Sequence, residues 1–520
     1  MNWQRELDEL AARREQAAAM GGAERVSRQH DAGRLTVRER IDRLLDAGTF
    51  EEVGSISGKG LYATDGELED FTPANCVTGR GLIHGRPVVV SGDDFTIRGG
   101  SADASIWEKF KLAERTAYDF RLPLVRLIEG SGGGGSVKTA ETRGYANLPG
   151  GLGGQSGGLH LCAENLGEVP VVALGLGSVA GLGAARLCIS HYSLMVKDIS
   201  AVFIAGPPVV ERLGEPVSKQ ELGGHERQTG AGVVDDVVAT EEEAFERARL
   251  FLTYLPSSVH DVSPRYACND PADRREEALL SIVPRDPGHA YMMRRIIEAV
   301  ADKDSVFEMG AGFGRAMITA LVRLDGLPVA LMAGDPLHFG GAWDADTAQK
   351  ITRFVDLAET FHLPVVHLVD CPGFRVGTAA ESSGTLRHGC RAISAITQST
   401  VPWCSIIIRN VFGVGGGAHQ PQNRTALRYA WPSARWGSLP MAGGVEAAYR
   451  AELDAADNRE AALTEIEQRL ARVQSPIRTT EAFGVEEMID PRDTRPLLCR
   501  FANLAAPLRR PGKASFTMRP

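Results

Sequence analysis

The 520 residues contain no block of basic residues, no closely spaced cysteine pair and no long apolar run. Lys and Arg number 57 against 66 Asp and Glu, a net charge of −9. That balance excludes nucleic acid as the main partner, though a local basic patch for a small anionic substrate stays compatible with it. The eight cysteines are scattered without a CxxC pair, which excludes a zinc ribbon, gives no disulfide framework and leads us to expect no metal site. A membrane span needs about 18 uninterrupted apolar residues, and none exist, so no membrane association is expected. The first twenty residues, MNWQRELDELAARREQAAAM, are charged and helical and do not read as a secretory signal, so the expected location is cytoplasmic. An HExxH helix and a GxxxxGK[ST] loop are missing too, and no strand-placed GxGxxG with a downstream acid fits. What is plentiful is glycine, 58 residues, where average usage of about 7% would give fewer than 40.

Two distant segments read alike. GRPVVVSGDDFTIRGGSADASIWEKF from Gly85 faces GLPVALMAGDPLHFGGAWDADTAQKI from Gly326, an offset of 326 − 85 = 241. Between positions 85 and 132, 16 of 48 pairs are identical without a gap, among them Asp94/Asp335, Gly99/Gly340, Gly100/Gly341, Lys109/Lys350 and Gly132/Gly373. Upstream, the segment from Arg38 matches the one from Arg294 at offset 256. Downstream, the segment from Val169 matches that from Val401 at offset 232. One fold has been duplicated, its loops differing in length.

Each half has the same order of elements. An amphipathic helix (37–45; 292–301) precedes two strands joined by a Gly turn (77–83 and 87–91; 317–324 and 328–333). A GG loop and a long helix (105–118; 345–360) lead to an apolar strand (122–127; 363–369), and a further helix leads to another (169–174; 401–408). Strands alternating with helices at this spacing predict an α/β fold with parallel units. Prolines between 256 and 287 mark the linker, giving domains 1–265 and 266–520. Charged segments 241–255 and 445–473 read as solvated helices closing each half.

The glycines cluster at strand-to-helix turns: SGGGG (131–135) and AGLGAA (180–185) in the first half, PGFRVG (372–377) and FGVGGG (412–417) in the second. Such a turn lets backbone approach a ligand closely and points the free N–H groups of a helix start at it. Two turns side by side form a donor pair for a developing oxyanion, one hole per half. Most histidines stand alone and read as structural. His419, directly after FGVGGG, is the best exception. With no strong side-chain acid or base evident, substrate or cofactor would carry its own base.

These stretches resemble the carboxyltransferase (β) subunits of biotin-dependent acyl-CoA carboxylases of the propionyl-CoA and methylcrotonyl-CoA type. The resemblance rests on RLTVRERIDRLLDAGTF (34–50), GDDFTIRGGS (92–101), LMVKDISAVFIAGPPVV (194–210) with ELGG (221–224), VDCPGFRVGT (369–378) and IDPRDTRPLLCRF (489–501), and it covers the chain from about residue 30. It implies two fused crotonase-like domains, the first serving the acyl-CoA and the second biotin. It implies a carboxyl transfer from N-carboxybiotin, carried on a partner subunit, to the α carbon of an acyl-CoA thioester. The biotin ureido nitrogen would take the α-proton. The partners implied are acyl-CoA and a biotin carboxylase or biotin carboxyl carrier subunit, and the assembly implied is a homo-oligomer, most simply a hexamer.

The residues expected at the two holes are Gly181, Leu182 and Gly183 on the acyl side and Val414, Gly415 and Gly416 on the biotin side. Substrate contacts are expected from Arg98, Gly99, Gly100, Lys109, Gly132, Gly133 and Gly134, and from Gly373, Phe374, Gly417 and His419. Arg98 and Lys109 are the candidates for the anionic end of CoA. The chain departs from the family where AGGA reads AGLG, where the rim loop reads SGGGGSVKTAETRGY, and where glycines replace a tyrosine near FGVGGGAHQ. Those departures leave open a decarboxylase of malonyl, methylmalonyl or glutaconyl thioesters and a non-catalytic scaffold subunit.

Overall fold

The computed structural model describes residues 2–101, 106–130, 132–133, 140–141, 144–146, 158–439, 441–473, 475–516 and 518–519. The chain divides into two compact units, Met1–Asp261 with Gly512–Pro520, and Val262–Pro511. The expected boundary at 265/266 thus falls at 261/262, and the last nine residues return to the first unit, where the Lys513 ammonium reaches the Tyr118 hydroxyl at 2.8 Å.

Each unit holds an eight-stranded mixed sheet. In the first, the strands lie in the order Glu51–Val53, Cys76–Ile83, Arg86–Asp93, Leu124–Gly130, Val171–Ala180, Tyr192–Val196 and Asp236–Val238, with Ala201–Phe203 added beside Val171–Ala180. The second repeats it with Phe307–Met309, Met317–Leu324, Leu327–Gly334, Val365–Cys371, Trp403–Phe412, Leu427–Ala430 and Glu487–Met488, and Arg435–Gly437 beside Trp403–Phe412. Only the first two pairings of each path are antiparallel. The central strands read as continuous apolar runs because helices or loops cover both faces of a parallel sheet, and Trp403–Phe412 is buried at every position.

The duplication holds element by element. Adding 241 to Cys76–Ile83, Arg86–Asp93 and Leu124–Gly130 returns the second unit's three strands end for end; adding 256 does the same for Val37–Leu44 and Met293–Val300, and adding 232 for Val171–Ala180 and Trp403–Phe412. Unusual backbone is copied too. His84 and Asp325 take φ of 51° and 54° in the Gly turn between the first two long strands.

Local chemistry explains the elements. Thr36 and Glu39 form a reciprocal capping box that starts Val37–Leu44, which buries Val37, Ile41 and Leu44. Asp344 caps Ala345–Thr360 by accepting from the Thr347 N–H at 2.9 Å. The long helix of the first unit spans Trp107–Phe120, and the expected start at 105 lies outside the described residues. The segment expected as one helix over 445–473 is three, Met441–Ala448, Arg450–Asp454 and Arg459–Val473. Asn458 causes the last break, its Oδ1 accepting from the Ala461 N–H at 3.0 Å to start a new helix. Glu241–Tyr254 is not fully solvated, since Phe245, Ala248, Phe251 and Leu252 are buried.

Candidate active site

In both units the fourth strand of the sheet order, Leu124–Gly130 or Val365–Cys371, ends in a bulge, between Ile128 and Gly130 and between Val369 and Cys371. A buried acid sits in each bulge, Glu129 and Asp370, neither with measurable exposure. Glu129 accepts from Arg40 Nη1 at 2.6 Å and Gln29 Nε2 at 2.8 Å, and pairs with Arg34. Asp370 accepts from Arg409 Nε at 3.1 Å, Asn410 Nδ2 at 2.7 Å and the Tyr291 hydroxyl at 2.9 Å. Burial pushes the Asp370 carboxyl up, with Arg409 acting against it. These anchors fix the strand ends from which the first Gly turn of each unit departs.

The second Gly turn begins one strand over. Gly181 has φ 57° and ψ −116°, a conformation for glycine alone. Its equivalent at offset 232, Gly413, has φ 60°. After Gly181 comes the helix Leu182–Cys188, and its first internal bond is Ala185 N–H to the Gly181 carbonyl at 3.0 Å. The N–H groups of Leu182 and Gly183 therefore have no acceptor one turn back. Val414 and Gly415 stand the same way at the start of Gly413–Gly417.

In the first unit, Leu182 and Gly183 line one pocket with Gly132 of the other turn and Gly100 of the GG loop; Asn75, Cys76, Asp93, Trp107, Phe110, Gly130, Ala180 and Arg186 complete it. Gly100 is a glycine for a steric reason. A Cβ there would lie 2.4 Å from the Glu129 carbonyl oxygen, and φ is 62°. In the second unit, Gly415 lies on the other turn. A Cβ on it would approach the Gly373 carbonyl carbon and Phe374 Cδ1, both at 3.1 Å. Val414 is 66% exposed, and a Cβ at Gly417 would meet nothing within 4 Å. The Gly416 backbone is tightly packed, with Val411 and Cys371 atoms within 3.0 Å of an added Cβ.

Other expected residues fall elsewhere. Lys109 is buried and turned toward the Glu52–Gly54 segment, its ammonium donating to the Gly54 carbonyl at 3.0 Å. The expected contact from Lys109 to CoA is therefore corrected to a scaffold role. Arg98 is exposed, with φ 53°, and Gly99 follows at φ 63°. Gly132 is buried and Gly133 exposed; Gly134 lies outside the described residues. His419 is buried beneath its turn, its Nδ1 2.9 Å from the Gly416 carbonyl. The His419 carbonyl accepts from His367 Nδ1, Trp403 Nε1 and the Ser405 hydroxyl. Burial lowers both His367 and His419 to about 4, so both rings are neutral at pH 7.

Asp93, Trp107 and Arg186 were not expected in the pocket. The available signal was local. Arg186 is the one charged residue in VAGLGAARLCIS (179–190), four positions after Leu182 and thus on the same face of the helix.

Among the described residues, no group of three or more His, Cys, Asp or Glu could hold a metal, and no helix is long and apolar enough to cross a membrane. A family model, the carboxyl transferase domain, matches residues 28–514. The propionyl-CoA carboxylase carboxyltransferase subunit of Haloferax mediterranei is 32% identical over 499 residues, 95% of each chain. The human mitochondrial propionyl-CoA carboxylase beta chain is 31% identical over 500 residues, 95% of this chain and 89% of its own. A crystal structure of transcarboxylase 12S, described as showing hexamer assembly and substrate binding to a multienzyme core with methylmalonyl-CoA and methylmalonic acid bound, matches with a TM-score of 0.89 at 29% identity, over 100% of this chain and 99% of that one.

Proposed function

The chain belongs to the carboxyl transferase domain family, and from that membership we infer that it is the carboxyltransferase subunit of a biotin-dependent acyl-CoA carboxylase. Its substrate is an acyl-CoA thioester, and it works with biotin carried on another subunit. The observation that carries the assignment of roles is the pair of turns at equivalent places in the duplicated fold, with Gly181 and Gly413 both at positive φ, 57° and 60°.

On the acyl side, the N–H groups of Leu182 and Gly183 hold the thioester oxygen and stabilise the negative charge it gains as the α-proton leaves. The pocket walls at Gly100, Gly132 and Leu182 orient the acyl group. A donor of this kind is worth about 3 kcal/mol in comparable sites. Leu182 brings a side chain to the turn, so it shapes the pocket without removing the donor. Arg98, exposed at the GG loop, is the remaining candidate for the anionic end of CoA.

On the other side, the N–H groups of Val414 and Gly415 would hold the ureido oxygen of biotin. The residues present fit a flat neutral ring. Val414 leaves the turn exposed, Gly417 leaves open space beside it, and the neutral His419 beneath it brings no competing charge. Biotin, when bound, supplies the transferable carboxyl group and a basic nitrogen. No side chain of this turn is then asked to move a proton, which agrees with the absence of a poised acid or base there.

The partner is a biotin carboxylase or biotin carboxyl carrier subunit, and the assembly is a hexamer. Transfer to propionyl-CoA from a carboxylated biotin carrier tests the activity. No transfer to any acyl-CoA would refute it, and release of CO2 from methylmalonyl-CoA without biotin would replace it with a decarboxylase. Light scattering should give about six times the 55.8 kDa chain mass. A monomer at micromolar concentration would refute the assembly.

A further inference from the structure

Arg186 lies in the wall of the first-unit pocket, 6% exposed, on the helix that starts at Leu182. Its Nη1 donates to both Asp93 carboxylate oxygens, at 3.0 and 3.2 Å. The guanidinium stacks on the Phe110 ring, its central carbon 4.3 Å from the centroid. Nε and Nη2, both buried, find no acceptor among the described residues. These two atoms form one edge of the guanidinium, the edge that grips a planar carboxylate through two parallel hydrogen bonds. The side chain is thus clamped from below by an aromatic ring and from one side by Asp93, with its strongest recognition edge unused. Buried donors are almost always partnered, and an unmade bond to a charged group is costly, so an idle pair in a pocket wall calls for a ligand. Arginine cannot escape the cost by losing its proton.

The neighbours indicate what that ligand is. Asp93 already balances the charge of Arg186, so the site does not attract an anion by net charge alone. It accepts a group that offers two coplanar oxygens to a fixed fork. Trp107, Phe110 and Leu182 line the remaining wall and suit the methylenes of an acyl chain. Arg186 follows the donor turn by about one helical turn, which separates the anchored group from the thioester by a short carbon chain.

We propose that the Nε–Nη2 edge of Arg186 receives the terminal carboxylate of the acyl group, so that the preferred substrate is the CoA thioester of a short dicarboxylic acid rather than of a plain alkyl acid. This rests on the assignment of the first-unit turn to acyl-CoA. Arg186 acts as a specificity-determining residue and takes no part in the proton or carboxyl transfer itself.

Two pairs of matched ligands test it with the full-length protein. Glutaryl-CoA is compared with pentanoyl-CoA, and succinyl-CoA with butyryl-CoA, first by calorimetric binding and then by carboxyl transfer. The wild-type protein should bind at least one dicarboxylic thioester about 10- to 100-fold more tightly than its alkyl counterpart, the range of a charge-assisted hydrogen-bonded pair. Arg186→Gln should collapse that ratio to near one while leaving the affinity for the alkyl thioester and for free CoA within about threefold. Equal or tighter binding of both alkyl thioesters by the wild-type protein overturns the proposal without any variant. So does an Arg186→Gln variant, shown folded by its thermal transition, that weakens all acyl-CoAs and free CoA alike, since the fork would then serve a phosphate of CoA. A clear dicarboxylate preference in binding with no transfer to any thioester would sustain the pocket and sink the carboxyltransferase reading instead.

Discussion

Replacing Gly181 and Gly183 singly by alanine separates the backbone of the turn proposed to serve the acyl group from the space around it. At Gly181 a Cβ meets no crowding, with its nearest neighbours 3.9 Å away, so the cost is conformational: φ 57° with ψ −116° is closed to L-residues. Residues held in such regions cost about 1–3 kcal/mol, which at roughly 2–4 °C per kcal/mol lowers the melting temperature by a few degrees or more. The variant should relieve the strain by rotating the Gly181–Leu182 peptide, and that rotation would carry the Leu182 N–H away from the position proposed for the substrate oxygen. Loss of one such donor lowers kcat about 10²- to 10³-fold. At Gly183, φ is ordinary and a Cβ would rest against Ile128 Cγ2 at 3.4 Å and Val179 Cγ1 at 3.5 Å, normal contact distances. Gly183→Ala should therefore keep the rate within about threefold and hold or slightly raise the melting temperature. Calorimetric melting with steady-state carboxyl transfer reads both. Wild-type kcat in Gly181→Ala, or a hundredfold loss in a well-folded Gly183→Ala, would refute the assignment of the turn's N–H groups.

Gly415→Val should melt well below Gly183→Val, because the larger group collides with the Gly373 backbone and Phe374, and equal melting temperatures would contradict that crowding. Arg40→Ala leaves Glu129 and Glu241 without their shared guanidinium and should cost about 3–5 kcal/mol in denaturant unfolding; a cost under 1 kcal/mol would show that the bulge stands without it. His367 and His419 titrate near 4 in the folded state against about 6.5 unfolded, so as pH falls below 6.5 the unfolded chain takes up protons that the native chain refuses. Stability should decline from pH 6.5 to 4, on the order of 3 kcal/mol for each ring, and His367→Asn should flatten that slope. A thiol reagent should label Cys390 first, since it is the exposed cysteine and the deeply buried Cys371 thiol is pushed up to about 12; mass spectrometry of the first adduct decides.

The duplicated α/β architecture was legible because it leaves identical residues at fixed offsets, and the paired glycines were legible because their backbone permits little else. Gly99 and Gly340 both take φ 63°, as their alignment requires. Side-chain destinations were less readable. Lys109 and Lys350 align in sequence, and the position near the GG loop suggested a free cation. In the fold both ammonium groups turn inward to a carbonyl, of Gly54 and Gly310, a contact between segments dozens of residues apart. The strands Tyr192–Val196, Ala201–Phe203 and Asp236–Val238 went unread because they are short and flanked by helices. Arg186 was hidden for a different reason. A lone arginine in an apolar stretch looks like a surface residue until the sheet and Asp93 close around it.

The two turns rest on floors of different stiffness. Beneath Gly183 lie the methyl groups of Ile128 and Val179; beneath Gly415 lies the main chain of Gly373. A methyl floor can be lowered or raised by exchanging one aliphatic residue for another, whereas a main-chain floor moves only if the whole bulge anchored by Asp370 moves with it. Sequence drift can therefore resize the first turn in single steps while the second keeps its dimensions. With the roles proposed for the two turns, a lineage built on this duplicated frame can change what it carboxylates without renegotiating how the carboxyl group arrives.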